Sequence, residues 1–216
     1  MAGRRGQGDA IEIRSVEHRR LMRLHDRQRR WRSLGQMRVV PVIIDWWEIR
    51  CCGRPFSLGD QVTWRLAWAA DAWLPGELFV TLDANVETVP VTSLPHDDPA
   101  AARYYQRVIR SGPICADWGG TEPLSGRMAL RGALLATWHG GGPEASAAPV
   151  TGFVRRIRTL RQRMQIGAGR RHAVVSGSEL IDTTACPLEF DDSGDRADRG
   201  VVVDLEIVAD GQRALG

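Results

Sequence analysis

The sequence predicts a mainly β protein: one or two small antiparallel barrel-like or sandwich units over residues 37–216, with one inserted helix and a basic, partly helical extension ahead of them. Three observations predict it. Short apolar runs of period two recur along the chain, most cleanly at residues 61–68 and 201–208. Turn signals separate them, at Leu58-Gly59-Asp60, Pro75-Gly76, Ser111-Gly112-Pro113 and Gly167-Ala168-Gly169. The hydrophobic content, 43% of 216 residues, is enough to bury a sizeable core.

The N-terminal extension, residues 1–36, carries ten arginines against four acids, a net charge of +6. A sparse apolar series (Val16, Leu21, Leu24, Trp31) makes a poor buried stripe, so this segment is expected to be a solvated tail or a basic arm. Met37 stands directly before the first strand-like run, which also allows the extension to be an over-long gene start. Residues 39–50 then alternate and are rich in β-branched and aromatic types, predicting a strand, with Pro41 at its start or on an edge. After the bend at Cys51-Cys52-Gly53 and the turn at Gly59-Asp60, residues 61–68 alternate again, with Val62, Trp64, Leu66 and Trp68 on one face. The two strands are expected to form a hairpin with its tryptophans in the core and Asp45 facing Arg65.

The run Trp47-x-x-x-Cys51-Cys52-Gly53-x-Pro55-Phe56-x-x-Gly59-Asp60-x-Val62-x-Trp64 resembles the opening signature of an uncharacterised bacterial family of domains of unknown function. Val154-x-x-Ile157, and Leu180-x-Asp182 ahead of Pro187 and Phe190, are similar to its C-terminal part, whereas residues 84–149 show no such likeness. In that family the signature lies near the N-terminus, which agrees with a start near Met37. The resemblance brings no activity and no catalytic residue with it.

Further along, residues 78–82 and 86–91 read as two strands. Asp97-Asp98-Pro99 is a good helix start and places the inserted helix between there and Ser111. Residues 112–126 are turn-rich, 128–138 fit a strand interrupted at Gly132, and 140–149 form a glycine-rich loop or linker. That linker makes 37–140 and 150–216 possible subunits. Strands are expected again over 150–166, 173–175 and 201–208, the last with Asp204 and Glu206 outward.

Composition narrows the chemistry. All 29 basic residues are arginine, so lysine Schiff bases, lysine general bases and the phosphate-loop lysine are excluded. Beyond residue 36 there are 19 arginines and 22 acids, a net charge of −3, which gives no general case for nucleic-acid binding. One segment is different: seven arginines and no acid lie between Ala145 and Ser178, centred on Arg156 and Arg158. A ribbon of that kind can enter a major groove. The favoured reading is that it lies beside the acidic residues 179–210, which number ten. Four cysteines are too few for a disulfide scaffold, no apolar leader follows Arg4-Arg5, and the longest aliphatic run (39–44) is too short to span a bilayer, so a cytoplasmic protein with reduced thiols and no membrane partner is expected.

Candidate site residues are the thiols Cys51 and Cys52, Arg54 at the same bend, His139 in His139-Gly140-Gly141-Gly142, and Arg156 and Arg158. No cofactor is expected. The alternative is zinc held by Cys52, Cys115, Cys186 and His139, against which the spacing argues, because structural zinc sites pair cysteines a few residues apart. His139-Gly140-Gly141-Gly142 is similar to an esterase oxyanion turn, but no G-x-S-x-G elbow accompanies it. The expected function is a non-enzymatic binding or interaction module for an unknown protein or small ligand. The alternative is a thiol- or zinc-dependent enzyme around Cys51 and Cys52, and a weaker one is nucleic-acid binding through the arginines.

Overall fold

A computed structural model describes residues 38–70, 74–89, 105–138, 147–166, 172–191 and 196–208. They lie within one compact unit, Met37–Gly216. In chain order the elements are β1 (Arg38–Asp45), helix α1 (Trp46–Cys52), β2 (Gln61–Ala69), a 3-10 turn (Gly76–Leu78) and β3 (Val80–Val89). Then follow β4 (Tyr105–Ser111), β5 (Ile114–Gly120), β6 (Gly126–Thr137), β7 (Val150–Ile166), β8 (His172–Thr183) and β9 (Arg196–Ile207).

Eight of these strands close on themselves in the order β2-β5-β4-β3-β6-β1-β9-β7 and back to β2, and β8 is added outside β7. Closure removes sheet edges that would otherwise template aggregation. It depends on β2, which changes partner halfway along. Gln61–Trp64 pair with β7, whereas Arg65–Ala69 pair with β6, and Ala67 also meets Asp117 of β5. The pairings β1–β6 and β2–β5 are parallel and the rest antiparallel.

Why these residues make these strands follows from what each face buries. The interior is lined by alternate residues: Val40, Val42 and Ile44 of β1, Trp64, Leu66 and Trp68 of β2, Leu82, Ala84 and Val86 of β3, and Val201, Val203, Leu205 and Ile207 of β9. Burying one such Leu or Ile side chain contributes about 1.5–3 kcal/mol. A second cluster on the outer face joins Ile43, Leu74, Leu78, Leu160 and Val202. Because Ile43 on the outer face is buried as well, β1 reads as a nearly unbroken apolar run rather than a clean alternation. Gly132 in β6 is required by close approach, since a Cβ there would stand 2.5 Å from the Ala69 carbonyl oxygen and 2.7 Å from the Trp68 ring. The residue that interrupts the apolar pattern of β6 is thus where β2 presses against it.

Several expectations are corrected. The helix is not found between Asp97 and Ser111 among the described residues: Tyr105–Ser111 is β4, whose Val108 and Ile109 are buried, and residues 97–104 lie outside those described. The helix is instead Trp46–Cys52, where the expected strand 39–50 stops five residues early. β1 does not form a hairpin with β2. It pairs with β9 and β6, so Asp45 lies opposite Gly200 and not Arg65, whose Nη1 donates to the Ala147 carbonyl at 3.3 Å. Residues 80–89 are one strand, and the turn-rich segment 112–126 contains β5, which forms a hairpin with β4. Of the tryptophans expected in the core, Trp64 and Trp68 are there, but Trp47 is 44% exposed.

Candidate functional site

The bend between β1 and β2 gathers most of the features that the barrel's packing does not require. It begins where β1 meets the end of the sheet at Asp45. The next residues coil rather than extend because Glu48 is drawn inward. Its carboxylate accepts Thr137 Oγ1 at 2.6 Å and the Trp138 N–H at 2.7 Å, both at the end of β6. Two hydrogen bonds offset the cost of burying this carboxylate, and hydrogen bonds to a charged group contribute about 1.5–3 kcal/mol each. Ile49 fills the core beside it. The helix stops at Gly53, whose N–H bonds to the carbonyls of Glu48 (3.0 Å) and Ile49 (3.1 Å). A Cβ at Gly53 would lie 2.6 Å from Ile49 Cα, so no other residue can close the turn this tightly.

From Gly53 the chain is tied down on its inner side. Phe56 meets Trp64 edge-on at 5.3 Å, and Trp64 meets Trp138 at 6.4 Å. Ser57 donates its N–H to Asp60 Oδ2 at 2.8 Å. Backbone bonds join Leu58 to Thr184 (3.0 Å), Cys186 to Phe56 (2.9 Å) and Gly59 to Val154 (2.8 Å), and Ser57 pairs with Ala185. Residues 56–58 of the bend therefore lie against the segment 184–186. Of the five exposed large hydrophobic residues described, three stand on the bend or within residues 184–188: Trp47 at 44%, Leu58 at 44% and Leu188 at 65%.

Cys51 and Cys52 are both exposed at the end of α1, with their sulfurs 3.2 Å apart. Hydrogen bonding to Cys51, the largest influence, pushes the Cys52 thiol up. Arg54 is exposed beside them. Arg50 lies over the Trp46 ring, 5.5 Å from its centroid. Neither arginine makes an ion pair among the described residues.

The other predicted positions do not join this group. Cys115 is buried on β5, its sulfur accepting from Arg110 Nη1 at 3.3 Å. Cys186 is buried near Phe56, and burial pushes its thiol to about 11. Among the described residues no three His, Cys, Asp or Glu side chains form a metal-binding group. His139, like His96, Asp97 and Asp98, lies outside the described residues. Arg156 and Arg158 are on β7, each against a carboxylate of a neighbouring strand: Arg156 with Asp182 of β8 (2.6 and 2.8 Å) and Arg158 with Asp204 of β9. Arg155 pairs likewise with Glu206, and Arg161 with Asp198 at 2.7 Å.

Sequence reasoning missed Glu48, Trp47 and the environment of Asp45. One oxygen of Asp45 is buried without a hydrogen-bond partner. Burial pushes this carboxyl up, against the pull of the nearby Arg199 guanidinium on β9. A signal was present: Asp45-Trp46-Trp47-Glu48 has the spacing of a helix-capping box, with an acid three residues after the cap.

No helix among the described residues is long and apolar enough to cross a membrane. No curated protein and no solved structure matches the chain. The sequence model of a family of unknown function (DUF6578) matches residues 38–207, the whole of the barrel from the first residue of β1 to the last of β9, and the chain belongs to that family.

Proposed function

We propose that the protein is a binding module, not a catalyst, and that its binding surface is the α1 bend together with residues 184–188. The observation that carries this reading is the grouping of Trp47, Leu58 and Leu188 on two segments that hydrogen-bond to each other. Exposed apolar residues scattered singly need no explanation, but grouped ones beside polar neighbours mark interaction surfaces. Arg50 and Arg54, without carboxylate partners among the described residues, give the surface its charge preference. The partner is accordingly a protein segment in which an apolar side chain stands next to acidic residues. Trp and Arg are the residue types that most often anchor such contacts.

The state of the thiols supports binding over catalysis. A catalytic cysteine is favoured by a lowered pKa, whereas Cys52 and Cys186 are both raised. A reducing compartment, the cytoplasm, suits a chain with four thiols of which two are exposed.

Selection from a displayed random-peptide library tests the proposal. The full-length protein is expected to enrich sequences with an aromatic or aliphatic residue flanked by Asp or Glu. Enrichment should disappear in Trp47→Ser and in Arg54→Glu, with the fold of each checked by circular dichroism. Failure to enrich such sequences, or enrichment that survives both substitutions, overturns it.

A further inference from the structure

The paired thiols at the end of α1 have a geometry that the binding surface does not require. Adjacent residues inside a helix diverge, so their side chains do not normally meet. Cys51 and Cys52, the last two residues of α1, do meet: their sulfurs stand 3.2 Å apart on an exposed surface. A direct disulfide between them is disfavoured. Neighbouring Cα atoms are about 3.8 Å apart, inside the roughly 4.4 Å lower limit for relaxed disulfides. A bridge through a third atom relieves that constraint.

The sulfur separation selects the bridging atom. With bonds of about 2.3 Å, a linear centre holds two thiolates about 4.6 Å apart and a tetrahedral one about 3.8 Å. A separation of 3.2 Å corresponds to an angle of about 90° at such a centre. Angles near a right angle belong to a three-coordinate pyramidal centre with a lone pair. We propose that Cys51 and Cys52 form a chelating dithiol site for a trivalent arsenical carrying one organic substituent. The two sulfurs supply two of the three bonds and the substituent's carbon the third, so the site is complete without a third protein ligand. Trp47 lies one helical turn before Cys51, on the same side of α1, and is exposed to cover an apolar substituent.

The step is a condensation without electron transfer. An organoarsenic oxide reacts with two thiols: two S–H bonds break, two As–S bonds form, and the oxygen leaves with both protons as water. The balanced step consumes neutral thiols and releases no net proton, so a raised thiol slows the attack without disfavouring the product.

Phenylarsine oxide is the probe, applied to the full-length reduced protein. Intact mass spectrometry is expected to show one arylarsenic group per chain. After digestion with trypsin the group should lie on the peptide that begins at Cys51. It should persist in excess monothiol and be removed by a small vicinal dithiol. Cys51→Ser and Cys52→Ser, both at exposed positions, should each lower retention in monothiol about a hundredfold, the loss expected when a two-point attachment becomes one-point. Retention that is unchanged in either serine variant overturns the proposal, as does a label found on the Cys115 or Cys186 peptide. So does a wild-type protein that releases the group to monothiol as fast as the variants do. This readout is independent of peptide selection, so failure of one reading leaves the other standing.

Discussion

The α1 bend and the β7–β9 ribbon both present arginines and both interrupt an apolar pattern, yet they resolve their charge in opposite ways. On the ribbon, Arg155, Arg156, Arg158 and Arg161 each meet a carboxylate from β8 or β9. The register of the ribbon brings basic and acidic residues of neighbouring strands side by side, and these four arginines end in intramolecular pairs. On the bend, Arg50 and Arg54 find no carboxylate among the described residues, and Trp47 and Leu58 stand exposed on the same segment. A cluster of arginines in sequence is therefore a poor guide to a cationic surface. What counts is whether the neighbouring strand carries the opposite charge at the matching position.

Substitutions can break this contrast, starting with the ribbon's apolar side. Ile157 of β7 is fully buried in the barrel interior. Ile157→Ala is expected to lower stability by about 2–5 kcal/mol, measured by denaturant unfolding, while Trp47→Ser should stay within about 0.5 kcal/mol of wild type, as surface changes do. Equal effects at the two sites would erase the distinction between a structural ribbon and a functional bend.

Next in size is Arg161, which holds a buried carboxylate. Asp198 is 6% exposed and also accepts the Asp191 N–H at 3.0 Å. Arg161→Ala strips the guanidinium from it and should cost about 1–3 kcal/mol, again by denaturant unfolding. A change near zero would show that the ribbon's ion pairs are only surface decoration.

Asp45, where the bend leaves the barrel, gives a pH signature of the opposite sign to an ion pair. Its folded carboxyl is raised because burial opposes its charge. Such a group's contribution is fully present below its unfolded pKa, and it is lost as pH rises through the folded value. Asp45→Asn is then expected to be more stable than wild type at neutral pH, with an advantage that shrinks as pH falls into the carboxylate range. Parallel stability–pH curves for the two proteins would contradict this.

The smallest effect belongs to Arg156. The Arg156 guanidinium holds Asp182 below the usual carboxylate range. Stability from this source is present above the unfolded pKa and lost as pH falls through the folded one. Both side chains are largely exposed, at 51% and 62%, so Arg156→Ala should leave the unfolding midpoint almost unmoved. It should show instead as a return of the Asp182 titration, followed by NMR, to its ordinary value.

The fold was more legible than the site. Alternation at Val62, Trp64, Leu66 and Trp68, and again at Val201, Val203, Leu205 and Ile207, marks β2 and β9 because one face of each lines the core. Residues 105–111 were misread because the capping acids at Asp97 and Asp98 are a strong local signal, while the burial of Val108 and Ile109 against other strands has no local trace. Cys51, Cys52 and Arg54 stood out by composition and do lie at the exposed bend. Trp47 did not, since nothing in a β-like pattern distinguishes an exposed aromatic from a buried one, and Leu58 reads only as part of the turn Leu58-Gly59-Asp60.

By itself the sequence determined what depends on near neighbours: the period-two runs, the turns between them, and the exclusion of lysine chemistry. The tertiary structure decided what depends on partners distant in the chain. β2 closes the barrel because its first half finds β7 and Ala67 meets β5, while its second half also pairs with β6. Trp46–Cys52 coils because Thr137 and Trp138 offer donors to Glu48, and Arg155, Arg156, Arg158 and Arg161 of β7 are neutralised because β8 and β9 lie in register beside them. Each is a long-range pairing whose free energy outweighs a local propensity of a few tenths of a kcal/mol per residue, on the order of the spread among ordinary residues.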